Sequence, residues 1–141
     1  MVLDSRGYVR LTDFGVARIL IPENASDTSG TPGYMAPEVM CRHNHGIEVD
    51  YFALGVIIYE FMTGRRPYVG KSRKEIRDQI LSRQVFLRKQ DVPEGWSYEA
   101  ADFANRLLQR KPSNRLGANG ASEVKNHVWL REFPWQKLYE K

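Results

Sequence analysis

Asp13-Phe14-Gly15, followed downstream by Gly30-Thr31-Pro32-Gly33-Tyr34-Met35-Ala36-Pro37-Glu38, brackets a segment that no long helix or central strand can fill. Pro22, Pro32 and Pro37 each remove a backbone donor and fix φ, while Gly30, Gly33 and the polar run from Asn24 to Ser29 favour turns. Residues Val16 to Pro37 therefore predict one long loop. Loops of that length are uncommon in compact domains, and those that occur tend to carry function. Chemistry is sought there first.

Upstream of the loop, Tyr8 to Thr12 alternate with period two, and Asp4-Ser5-Arg6-Gly7 supply turn residues, which predicts a hairpin whose first strand is Met1 to Leu3. A strand so short indicates that the chain begins inside a structural unit. Downstream, Tyr51 to Tyr59 are apolar on all sides when wound at 3.6 residues per turn, which predicts a central helix after Asp50, buried on every face. Ser72 with Glu75 forms a capping box for a second helix that turns Ile76, Ile80 and Leu81 to one face. A third helix starts near Ser97, directs Ala100, Phe103, Ala104, Leu107 and Leu108 inward, and ends before Pro112. Ser122 caps a short fourth helix through Trp129, after the glycine-rich turn at Gly117 to Gly120.

At 141 residues, with 42% hydrophobic and 27% charged, the chain suits one globular domain rather than two, and rules out a disordered or low-complexity protein. Cys41 stands alone, so no internal disulfide forms, which suits a reducing compartment and an intracellular, cytoplasmic location. The longest apolar run, Tyr51 to Met62, is broken by Gly55 and Glu60 and is too short to span a bilayer. No membrane partner is expected. Cys41, His43 and His45 lack zinc spacing. The basic run Arg65, Arg66, Lys71, Arg73, Lys74 and Arg77 reads as a solvated face, and no nucleic-acid motif accompanies it. A net charge of +4 favours encounters with phosphate-bearing or acidic partners without naming one.

The two bracketing stretches together resemble the activation segment of eukaryotic protein kinases, which runs from an Asp-Phe-Gly to an Ala-Pro-Glu. The likeness continues through Asp50, Leu54-Gly55 and Arg115, and covers nearly the whole chain. The Gly-Thr-Pro-x-Tyr form of the loop, Tyr59-Glu60, and the run from Lys125 through Trp129 to Trp135 resemble the AGC group of serine/threonine kinases. The resemblance implies a mainly α fold, namely a fragment of the large, carboxy-terminal kinase lobe with a short β-hairpin at its amino end. On that reading residues 1–141 form a partial kinase domain. Residues 1–15 hold the hairpin and Asp-Phe-Gly, 16–38 the activation segment, 39–135 the helical lobe, and 136–141 the start of a C-terminal tail.

The same resemblance assigns roles. Asp13 would hold the magnesium that bridges the nucleotide phosphates, with Phe14 packed under the strand that follows the nucleotide and Gly15 giving backbone freedom where the segment changes direction. Thr31, Pro32, Tyr34 and Met35 would shape the peptide pocket, with Thr31 favouring a serine or threonine acceptor. Glu60 aligns with a carboxylate that binds a substrate arginine in basic-directed members, which allows a basic peptide. Gly33 departs from the acidic residue often found there, and Val128 from a common proline. Ser26, Asp27, Thr28 and Ser29 lie where kinases carry an activating phosphate. Asp27 falls at the usual position and imitates its charge, or Thr28 is the modified residue. Glu38 and Arg115 match a buried structural ion pair, and Asp50 matches the residue that holds the backbone of the catalytic loop.

A working kinase also needs a glycine-rich phosphate loop, a lysine–glutamate pair, and a catalytic loop with its base and second metal ligand. None precedes Asp13. No catalytic residue is therefore assigned within the chain, which alone is expected to be inactive. ATP and Mg2+ belong to the complete domain and neither is expected to bind this chain well alone. The expected partners are a protein or peptide substrate and the missing amino-terminal kinase half. The alternative is a noncatalytic kinase-like interaction module.

Overall fold

The structure is a computed structural model and describes residues 1–24 and 26–140. It is mainly helical with one two-stranded sheet, as the resemblance implies. Strand β1 (Val2–Leu3) pairs antiparallel with β2 (Val9–Arg10), Val2 opposite Arg10 and Leu3 opposite Val9. Asp4 closes the turn. Its Oδ1 accepts from the backbone of Arg6 and Tyr8 at 2.9 and 3.0 Å, and its Oδ2 accepts from Arg10 Nε at 2.9 Å. The strand expected over Tyr8 to Thr12 is shorter because β1 offers only two residues to pair with.

Between the hairpin and residue 37 the described chain has no α-helix or further strand, only 3₁₀ turns at Pro22–Asn24 and Pro32–Tyr34. The prolines and glycines act as expected. Helix α1 (Pro37–Met40) begins on a proline whose missing N–H costs nothing there, and all four of its residues are buried.

Helix α2 (Glu48–Thr63) runs through the centre and starts earlier than expected, before Asp50, because Val49 N–H and Asp50 N–H already find the carbonyls of Gly46 and Ile47. No residue from Tyr51 to Glu60 is exposed, and Phe52 and Val56 are fully buried. The all-round burial ends at Phe61, which is 69% exposed. Gly64 ends the helix in the left-handed region at φ 72°, its N–H bonded to Glu60 O at 2.8 Å. Helix α4 (Tyr98–Leu107) packs on α2, where a Cβ on Gly55 would lie 2.9 Å from Leu107 Cβ and 3.0 Å from Leu108 Cγ. Only glycine permits that approach.

Helix α3 (Arg73–Ser82) has the expected cap, Ser72 Oγ accepting from Glu75 N at 3.2 Å. The return half of the box shifts by one residue, since Glu75 Oε2 takes the Lys71 N–H at 2.8 Å. Ser97 Oγ caps α4 through Ala100 N at 3.2 Å, and Ala100, Phe103, Ala104 and Leu107 are buried as their spacing requires.

The carboxy-terminal reading needs correction. Helix α5 spans only Ala121–Lys125, with Gly120 rather than Ser122 at its cap. It stops because the chain turns at His127, whose carbonyl accepts from both Leu130 and Arg131, and whose ring stacks edge-on to Phe103 at 5.0 Å. A further helix, α6 (Trp135–Tyr139), follows. Lys125 Nζ lies over the rings of Trp135 and Tyr139, at 5.2 and 5.0 Å from their centroids.

Apolar packing forms two clusters on either side of α2. One joins Met35, Val39, Phe52 and Val56 to Tyr68 and Ile80. The other joins Ile58 and Met62 to Phe103, Leu107 and Leu116. Among the described residues no helix is long and apolar enough to cross a membrane.

Candidate functional site

The 3₁₀ turn at Pro32–Tyr34 is held by Tyr34 N–H to Thr31 O at 3.0 Å and Met35 N–H to Pro32 O at 3.3 Å. It delivers the Tyr34 hydroxyl to Glu60 on α2, which accepts at Oε2 over 2.8 Å. The Arg66 guanidinium covers the Tyr34 ring at 5.6 Å from its centroid. The hydrogen bond to Glu60 raises the Tyr34 pKa above the ordinary phenol value; burial and the Glu60 charge add to this, and Arg66 opposes it. Thr31 is exposed beside this turn and Pro32 half-buried, whereas Met35 is buried in the first core cluster and supports the loop from below.

Thus the structure brings together Tyr34, near the end of the loop, and Glu60, in the last turn of α2. Sequence reasoning missed Arg66, which it assigned to a solvated basic run. No local signal marks it: only in the fold is Gly33 seen to be buried, with a Cβ placed on it colliding with Arg66 Nη1 and lying 3.2 Å from Cζ.

At the other end of the segment Asp13 is exposed and carries φ 61°, a left-handed conformation that short polar residues tolerate. The change of direction expected at Gly15 therefore falls on Asp13. Gly15 instead allows a close approach: its N–H reaches Asp13 Oδ1 at 3.3 Å, and a Cβ there would sit 3.3 Å from the same oxygen. Phe14 is 67% exposed in this chain. Among the described residues no cluster of three or more His, Cys, Asp or Glu is placed to hold a metal. The lone hard oxygen donor of Asp13 nonetheless suits magnesium, which takes one or two carboxylates and otherwise phosphate and water oxygens.

The middle of the loop is fastened by charge. Asp27 pairs with Arg18 at 3.5 Å, and its carbonyl oxygen lies 2.8 Å from His45 Nε2. Thr28 O lies 3.5 Å from both Nη1 and Nη2 of Arg73. Ser26 and Ser29 are exposed. Asp50 is exposed in the first turn of α2, where its charge also suits the positive end of the helix.

Glu38 on α1, at the far end of the segment, meets Arg115 in a buried ion pair, as the resemblance implies. The protein kinase domain family matches residues 1–130. The chain belongs to that family. It is 36% identical over 143 residues to ribosomal protein S6 kinase alpha-6 of Homo sapiens, covering all of this chain and 18% of that protein. It is 39% identical over 145 residues to human ribosomal protein S6 kinase alpha-1, again over the whole chain and 19% of that protein. Protein kinase 2 of Dictyostelium discoideum is 36% identical over 142 residues, which is 29% of its length. The kinase chain is of the AGC-like serine/threonine type and corresponds to the carboxy-terminal lobe. It spans about a fifth to a third of the length of these relatives.

Proposed function

We propose that this chain supplies the activation segment and peptide-docking half of a serine/threonine protein kinase, and transfers no phosphate by itself. In the complete domain the phosphoryl group passes from ATP to the hydroxyl oxygen of a serine or threonine, with ADP as the leaving group. Asp13 would hold the magnesium, which supplies neutralisation of the phosphate charge. Phe14 and Gly15 would flank the nucleotide. Thr31, Pro32 and Tyr34 would face the peptide, with Met35 beneath them. Asp50 would hold the catalytic loop, and the amino-terminal half of a kinase domain would be the chain's partner.

The observation that carries this reading is the pairing of Asp13-Phe14-Gly15 with an Ala36-Pro37-Glu38 anchored through Arg115. The regulatory charge on the segment is assigned to Asp27, whose carboxylate already engages Arg18. Thr28, held by its carbonyl near Arg73, is the alternative modified residue. An intracellular, cytoplasmic setting accords with the free Cys41.

Label transfer from ATP to a serine peptide in the presence of magnesium tests the proposal. The chain alone should give none, while the chain joined to the amino-terminal half of a kinase domain should give turnover that Asp13→Ala abolishes. Turnover by the chain alone that disappears in Asp13→Ala would overturn it. A noncatalytic interaction module is the second reading, and a compact chain that is stable and monodisperse without any partner would favour it.

A further inference from the structure

We propose that Arg66 makes the peptide surface beside Tyr34 selective for an acidic substrate side chain, the reverse of the preference that Glu60 alone would confer. This rests on the reading that Tyr34 and Glu60 line the peptide-docking surface.

Three observations carry it. First, Arg66 is half-buried and stacked over the Tyr34 ring, so its guanidinium is held at the loop. A planar fork of donors held in place suits a carboxylate, because less freedom is lost when the pair forms. Second, Gly33 is where the loop makes room for that cation. A Cβ there would meet Nη1, so any side chain at 33, acidic ones included, must displace the guanidinium. The position that would hold a negative charge in an acidic-loop kinase here accommodates a positive one. Third, one oxygen of Glu60 is already engaged. Its Oε2 accepts the Tyr34 hydroxyl at 2.8 Å, and Arg66 acts against the Glu60 charge at that same phenol. A substrate arginine approaching Glu60 would meet a resident arginine.

Arg73, whose guanidinium reaches Thr28 O, adds a second cation to the same loop. Arg66 and Arg73 thus stand beside the carboxylates of Glu60 and Asp27, and opposite charges attract while like charges repel across a docking surface.

The test uses the full 141-residue chain and fluorescently labelled serine peptides in which Asp, Ala or Arg replaces each flanking residue in turn. Binding is read by fluorescence anisotropy at low and high salt. At one or more flanking positions the chain should bind the Asp peptide about two- to fivefold more tightly than the Ala peptide, the range expected for a partly exposed ion pair, and the Arg peptide more weakly still. Raising the salt should shrink the difference. Arg66→Ala should level the three peptides, and Arg66→Glu should invert their order. Circular dichroism melts of both variants check that the fold survives, and Arg66→Lys should retain the acidic preference with smaller amplitude. A preference for Arg peptides that Arg66→Ala leaves unchanged would overturn the inference while sparing the docking reading. Failure to bind any peptide would overturn both.

Discussion

Glu38 and Arg115 meet as a two-pronged pair, Nη1 to Oε1 at 2.7 Å and Nη2 to Oε2 at 2.9 Å, with both side chains nearly devoid of solvent contact. Arg115 also donates to the carbonyls of Glu48, Gln109 and Arg110 at 2.9, 3.0 and 3.3 Å, and lies over the Phe52 ring. One guanidinium thus ties the end of the activation segment to the start of α2 and to the turn after α4. Satisfying so many donors is what makes a buried cation tolerable.

Removing Arg115 leaves Glu38 buried without its partner, a loss of about 3 to 5 kcal/mol. Arg110→Ala is expected to cost less, though not nothing, because Arg110 Nη1 caps the end of α3 through Ile80 O at 3.2 Å and Leu81 O at 2.6 Å. Loss of such charged hydrogen bonds at a partly buried site costs about 1.5 to 3 kcal/mol. Urea midpoints of the two variants, compared at equal slope, give the order. Equal midpoints would show that the Glu38–Arg115 pair contributes no more than the α3 cap.

The helices were legible because their signals are local: the Ser72 and Ser97 caps, the apolar run from Tyr51 to Tyr59, and the spacing of Phe103 and Leu107 decide them within a few residues. The kinase motifs were legible for the same reason. What was not legible depends on contacts distant in sequence. Arg66 reads as one cation in a basic run until the Pro32–Tyr34 turn places the Tyr34 ring beneath it. The early end of α5 follows from His127 docking on Phe103, and α6 from rings that meet Lys125; neither contact leaves a periodic trace.

Acid should loosen the hairpin. The Tyr8 N–H holds the Asp4 pKa below its ordinary 3.8, opposed by burial and helped by Arg10 and the Arg6 N–H. A depressed carboxyl stabilises above its unfolded value, and that contribution is lost as pH falls through the folded value. The Tyr8 amide should therefore be protected from hydrogen exchange at neutral pH and lose protection below about pH 4. In Asp4→Asn the protection should be weaker throughout and lack this acid step. A wild-type profile flat into strong acid would show that Asp4 does not hold the turn.

Alkali should act at Tyr34. Its raised pKa, caused first by the bond to Glu60, means that the folded chain retains a proton the unfolded chain gives up. That contribution is present below the ordinary phenol value near 10 and is lost as pH rises through the folded value. Tyr68 is shifted the same way, chiefly by burial. Stability should accordingly fall above about pH 10. Tyr34→Phe should reduce the slope without abolishing it, because Tyr68 remains. Spectrophotometric titration of the phenols, run beside thermal melts, checks both. An unchanged slope in Tyr34→Phe would mean that the Tyr34–Glu60 bond does not couple to folding.

The amino-terminal apolar surface supplies the last prediction. Leu3, Leu11, Phe14 and Ile19 are 70%, 70%, 67% and 84% exposed, and Val2, Val9, Val16 and Leu20 are exposed around them. Single exposed apolar residues are ordinary, but a run of them along one stretch marks either a partner's footprint or an aggregation liability. If the partner is the amino-terminal half of a kinase domain, the isolated chain should self-associate and bind a hydrophobic-reporter dye, and co-expression with that half should suppress both. Replacing Leu11 and Ile19 with serine should lower dye binding by the chain alone and weaken its recovery by the partner. Light scattering and dye fluorescence with and without the partner decide between the readings. A compact monomer that binds no dye, and that the added half leaves unchanged, would instead support a self-sufficient interaction module built on the kinase fold.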